Sequence, residues 1–128
     1  MQRTLLITGA LLGLTAVILG AFGAHGLKES LTPEAINSFE TGVRYQMYHA
    51  FLLLLVGSAL PLSQKAQKIS FYLILSGVLL FSGSIYLLTT KPITGVDISA
   101  IAWITPIGGA LLISAWIAIT YNFIKLLK

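Results

Sequence analysis

Four stretches of this chain carry no Asp, Glu, Lys or Arg: Thr4 to Leu27, Tyr45 to Ser63, Ile69 to Thr90 and Ile98 to Ile124. As helices, each is long enough to cross a hydrocarbon layer of about 30 Å. A soluble helical protein would need a polar face on every helix, and these runs have none. Barrel strands would alternate apolar with polar residues, whereas LLLLVGSAL and LILSGVLLF are apolar on all sides. The expectation is an all-α integral membrane protein, a compact bundle of four transmembrane helices in a single domain over residues 1–128, with spans about 4–26, 41–61, 68–89 and 98–122.

An even number of spans places both termini on one side. Arg3, Lys65, Lys68, Lys125 and Lys128 share that side, whereas the opposite side sets Lys28, Arg44 and Lys91 against Glu29, Glu34, Glu40 and Asp97. Positive-inside bias then puts both termini in the cytoplasm. The net charge of +4 comes from basic residues isolated at the ends of apolar runs, which form no nucleic-acid patch. The absence of cysteine excludes disulfides, thiolate metal sites, haem attachment and iron–sulfur clusters. The first run exceeds the ~7–15 apolar residues of a signal core, so it is read as a retained span.

Thr32-Pro33-Glu34 has the pattern of an N-cap, a proline at the first helical position and an acid in the first turn. It predicts a short amphipathic external helix leading into the second span. Pro61 and Pro92 follow the second and third spans as stops, and Asp97 or Ser99 caps the fourth helix. Inside that helix Pro106, followed by Gly108 and Gly109, predicts a kink.

Gly9, Gly13, Ala16, Gly20, Gly23 and Ala24 fall on one stripe of the first helix at 3.6 residues per turn. Gly77 with Ser70 and Ser84, and Gly109 with Ala102, form similar columns in the third and fourth spans. Small residues let helices approach closely in lipid. The stripes serve either internal packing or contact with a membrane-protein partner or a second copy.

Polar groups within spans are costly and therefore the candidates for function. Most lie in FETGVRYQMYHAF. Glu40 and Arg44 stand at the favourable i, i+4 spacing for an ion pair. Tyr45 and His49 share another face with Gln46 beside them, and His25 and Tyr86 belong near the same outer level. The candidate polar or ligand cluster is thus His25, Glu40, Arg44, Tyr45, Gln46, His49 and Tyr86. Two histidines fall short of the three or four ligands of a transition-metal site, and no cofactor is implied. A proton relay through His25 and His49 is chemically open; so is a plain role for His25 at a helix end finished by Gly26, and for His49 as an interhelical hydrogen bonder. Arg44 suits either interfacial snorkelling or a phosphate or carboxylate clamp. By position, Tyr45, Tyr48, Tyr72, Tyr86, Trp103, Trp116 and Tyr121 read mostly as an interfacial aromatic belt. No nucleophile elbow, phosphate loop, paired catalytic acids or zinc-protease signature occurs, so no residue is assigned a catalytic role.

GAFGAHGL, TGVRYQMYHA, GSIYLL and ITPIGGALLISAW, in this order across almost the whole chain, resemble the YwdK/YgdD-type family of small bacterial inner-membrane proteins, a domain of unknown function with relatives in eukaryotes. The resemblance implies four spans and assigns no activity; His25, Arg44, Tyr45, Gln46, His49, Tyr86 and Pro106 match its motifs without assigned roles. The expected function is that of a non-enzymatic accessory or assembly component acting through helix contacts, with membrane lipid as its surroundings. The alternatives are a small transporter or lipid- or small-ligand-binding protein using the outer polar cluster and, third, an enzyme acting on a lipid headgroup.

Overall fold

The computed structural model describes all 128 residues. Its helices are α1 (Gln2–His25), α2 (Pro33–Ser58), α3 (Gln64–Thr89), α4 (Lys91–Thr94) and α5 (Ile104–Leu126), and there is no strand. Three of them, α1, α3 and α5, are long and apolar enough to cross a membrane. The expected fourth, α2, is long enough at 26 residues but falls short in hydropathy, because Arg44, Gln46 and His49 dilute the apolar run from Phe51 to Val56.

Local chemistry sets the helix ends. Thr32 adopts extended backbone and its Oγ1 accepts from the Ala35 N–H at 3.2 Å, with Pro33 at the first helical position and Glu34 beside it. The helix begun there continues unbroken through the expected external segment to Ser58. Ser63 caps α3 in the same way, accepting from the Ala66 N–H at 3.2 Å, so α3 starts four residues before the expected span. Its end is followed by the single turn α4 and then Gly95, whose φ of 70° lies in the left-handed region that a side chain would strain.

The last connection departs most from expectation. The Asp97 Oδ1 accepts from the Ser99 N–H at 2.9 Å in an Asx turn that leads into a 3₁₀ turn, Ser99–Ile101, rather than capping the long helix. Hydrogen bonds from Ser99, and then the Lys91 ammonium 2.9 Å away, hold the exposed Asp97 carboxyl well below the usual carboxylate range. α5 starts only at Ile104, which puts Pro106 in its first turn. A missing N–H costs nothing there, so the proline marks a helix start instead of a kink.

The long helices pack in chain order: α1 on α2, α2 on α3, α3 on α5. The closest packing therefore follows chain order, while α5 also reaches α2 through Trp116 and His49, and one core cluster draws on all four long helices. The larger core cluster, including Leu5, Leu53, Val56, Ile74 and Ala115, lies toward the end holding the termini, and a smaller one of Leu27, Leu31 and Phe39 lies at the opposite end. Large apolar side chains such as Val17, Phe51, Leu79 and Ile117 are exposed along every long helix, as lipid contact requires.

The small-residue stripe of α1 faces α2. A Cβ on Gly9 would meet the Ala50 carbonyl oxygen and Leu54 Cγ at 3.0 Å, and one on Gly23 the Phe39 ring at 2.9 Å. Gly13 and Gly20 have ordinary van der Waals clearance to Ala50, Met47 and Val43. Between α3 and α5 a Cβ on Gly77 would lie 2.6 Å from Leu112 Cδ2. The sequence pointed to Gly109 in α5, but Gly109 has room; the close approach is made by Gly108.

A polar layer between two apolar clusters as the candidate functional site

Gln46, buried on α2, joins three helices. Its Nε2 donates to the Leu12 carbonyl at 2.9 Å and to Thr15 Oγ1 at 2.8 Å, both on α1, while its Oε1 accepts from the Tyr86 hydroxyl of α3 at 2.7 Å. Thr15 donates in turn to the Leu11 carbonyl at 2.9 Å. Nearby, Ser82 Oγ donates to the Gly42 carbonyl at 2.7 Å, and Tyr86 packs its ring 5.0 Å from that of Phe39. Gly42 is small because a Cβ there would lie 2.8 Å from Tyr86 Cε1. Tyr86 is thus an interior hydrogen-bonding residue rather than a belt residue.

On the side of α2 toward α5 stands His49. Its Nδ1 is 2.7 Å from the Tyr45 carbonyl oxygen, which has only lone pairs to offer, so Nδ1 carries the proton. The Nε2 lone pair then accepts from the Trp116 indole N–H at 3.2 Å. The second contact requires a neutral ring, since a protonated Nε2 would face a group that can only donate. His49 and Trp116 line a groove of about 290 Å³ together with Tyr45, Phe81, Gly109, Leu112 and Ile113. Tyr45 stacks toward His49 and lies 5.0 Å, ring to ring, from Phe81. A further bond at 2.6 Å joins the hydroxyls of Ser84 on α3 and Thr105 on α5.

The remaining sequence candidates lie apart. His25 is the exposed last residue of α1 and makes no side-chain hydrogen bond. Gly23, two residues before it, packs on Phe39, and His49 stands ten positions further along α2, about 15 Å at 1.5 Å per residue. The two histidines therefore do not share a site. Gly26 follows His25 in right-handed conformation, with its N–H on the Phe22 carbonyl at 2.7 Å; it is small because a Cβ would lie 2.7 Å from the Phe22 ring. The expected Glu40–Arg44 ion pair is not made: the Arg44 Nη2 donates to Thr41 Oγ1 at 2.9 Å, one residue nearer along the helix, and Glu40 is half-buried without a cation.

Sequence reasoning missed Thr15, Ser82, Thr105 and the indole of Trp116. The hydroxyls left a weak signal, as Ser and Thr within apolar helices, where they bond across helices or back to their own. Trp116 left none, because its spacing alone does not distinguish a belt residue from a partner for His49.

Helices with apolar exteriors and their polar side chains turned inward define a helical integral membrane protein. The family model "Protein of unknown function (DUF423)" matches residues 19–109. The chain is 39% identical to a UPF0382 membrane protein of Haemophilus influenzae, over 98% of this chain and 97% of that protein. It is 38% identical to the UPF0382 membrane protein YwdK of Bacillus subtilis, over 98% and 100%, and 32% identical to the UPF0382 inner membrane protein YgdD of Escherichia coli, over 98% and 92%. This chain belongs to that family of membrane proteins. No solved structure matches it.

The geometry separates the two histidines energetically. His49→Ala is expected to lower stability by about 1–2 kcal/mol, through a lost interhelical bond and a small cavity, and His25→Asn to change it by less than about 0.5 kcal/mol. Thermal unfolding in mild detergent should show the double substitution as the sum of the singles, as for sites without shared partners. A strongly non-additive result would place both histidines in one unit after all.

Proposed function

We propose that this protein is a four-span, non-enzymatic accessory or assembly component of the cell inner membrane, acting through helix contacts, with α2 as the fourth span and both termini cytoplasmic. The single observation that carries the reading is the division of its side chains. No buried side-chain nitrogen or oxygen lacks a hydrogen-bond partner, while every long helix shows apolar side chains outward. Polar groups already satisfied by other helices hold the protein together and leave its outer faces for neighbours in the membrane. The position of α2 supports a fourth span despite its hydropathy: it packs between α1 and α3, its Gln46 is held by both, its buried His49 is held by Trp116 of α5, and Arg44 stands near its outer end.

A second reading, a lipid- or small-ligand-binding protein, has the groove lined by His49 and Trp116 in its favour. Photocrosslinkers at Ile18 of α1 and at Ile113 and Ile117 of α5, all exposed, distinguish the two in native membranes. A discrete protein adduct confined to one helix face is expected. Lipid adducts alone at every position would reject the accessory role and leave the ligand reading.

Topology has its own test. Cysteines replacing the exposed Ser30 and Val96 should react with an impermeant maleimide from outside the cell, and those replacing Gln64 and Leu127 only after permeabilisation. The reverse pattern overturns the assignment, and Ser30 and Gln64 reacting from the same side removes α2 as a span.

A further inference from the structure

We propose that the cleft between the start of α3 and the end of α5 binds the phosphate headgroup of an anionic phospholipid. Its volume is about 310 Å³, and Ser63, Lys65, Ile69, Tyr121, Asn122 and Lys125 form its walls. An adjoining hollow of about 240 Å³ shares Ser63, Asn122 and Lys125. Lys65 and Lys125 come from different helices, are both exposed, and make no ion pair. All four carboxylate side chains of the sequence, Glu29, Glu34, Glu40 and Asp97, belong to the opposite end, so no acidic side chain offsets them.

The local electrostatics sharpen this imbalance. α2 begins with Glu34 in its first turn, as a positive helix end favours, but α3 has no acid there and carries Lys65 instead. Ser63 satisfies the Ala66 N–H, leaving those of Gln64 and Lys65 without intrahelical partners. Two ammonium groups beside a positive helix end repel one another and attract an anion. Positive-inside topology requires lysines at this end but does not require two of them to line one cleft. Ile69 and Tyr121 stand about a turn further into the membrane, below the lysines, and offer apolar surface where glycerol and acyl chain would follow a headgroup. That wall is what a phospholipid can use and inorganic phosphate cannot.

The test uses the full-length protein in nanodiscs of phosphatidylcholine doped with phosphatidylglycerol, with bound lipid counted by native mass spectrometry at low salt. K65Q/K125Q should lower phosphatidylglycerol retention on the order of tenfold or more. K68Q/K128Q removes the same charge from the same end without touching the cleft and should leave retention unchanged. K65R/K125R should keep binding, and its unfolding temperature beside that of K65Q/K125Q separates lost affinity from lost fold. Equal losses in both glutamine pairs would show diffuse surface charge and overturn the proposal, as would no loss in either. Displacement by millimolar inorganic phosphate would overturn the lipid assignment. None of these outcomes depends on whether α2 spans or the protein is an accessory component.

Discussion

Replacing Gly108 with leucine should separate α5 from α3 and cost more than about 3 kcal/mol of stability, the upper end of what overpacking produces. A Cβ at this position would lie 2.3 Å from the Phe81 backbone nitrogen, 2.7 Å from the Leu80 carbonyl carbon and 2.8 Å from the Phe81 Cα. Those atoms belong to the interior of α3 and cannot swing aside as a side chain can; the helices must move apart. Separation would also stretch the Ser84–Thr105 bond and withdraw Trp116 from His49. Even alanine should be strongly destabilising. Two neighbouring glycines act as controls. Gly109→Ala, with Phe81 ring atoms at 3.7 Å or more, should be tolerated, and Gly83→Ala, with nothing within 4 Å, should leave stability unchanged or raise it by up to about 1 kcal/mol through helix propensity. Denaturation in mixed detergent micelles measures all three. If Gly108→Leu unfolds at the wild-type denaturant level, the α3–α5 contact described above is wrong.

Gln46→Ala is the second large effect, with an expected cost of about 2–3 kcal/mol. Interhelical hydrogen bonds in membranes average about 0.6 kcal/mol. Gln46 makes three, and alanine also leaves a cavity between α1, α2 and α3. The change takes its acceptor from the Tyr86 hydroxyl and a donor from two acceptors on α1, the Leu12 carbonyl and Thr15 Oγ1. Tyr86→Phe removes a single bond and should cost about 1 kcal/mol. The pair of substitutions should cost less than the sum, because the Gln46–Tyr86 bond is lost in each single variant. Additive losses would mean that this bond contributes nothing to the fold. Retention of a ligand by wild type but not by Gln46→Ala, with stability unchanged, would instead make Gln46 a binding residue.

Both expectations depend on features that the sequence displayed unequally. The segment from Tyr45 to His49 stood out because polar residues are rare in this chain, and two of its members, Gln46 and His49, are indeed buried among other helices. Period alone placed the α1 stripe on one face, and that face turns to α2. Yet the same reasoning joined Glu40 to Arg44 and grouped His25 with His49. An i, i+4 spacing makes an ion pair available without requiring it, and Arg44 finds Thr41 closer. A shared depth in the membrane says nothing about which side of a helix a group faces.

What the sequence determined by itself is therefore what depends on composition and on neighbours along the chain. Uncharged runs gave an all-helical membrane protein, Thr32-Pro33-Glu34 gave the start of α2, and Gly9 and Gly77 were readable as small residues on packing faces. Tertiary structure decided the rest, because it depends on atoms brought together from distant positions. It chose Gly108 over Gly109, made Pro106 a helix start, and partnered Trp116 with a histidine 67 residues away. It also brought Lys65 and Lys125 to one cleft, since helix ends remote in the chain become neighbours only when α3 and α5 pack antiparallel. Periodicity specifies the face a helix buries; which residue of that face meets a partner, and at what distance, is set by the partner's surface.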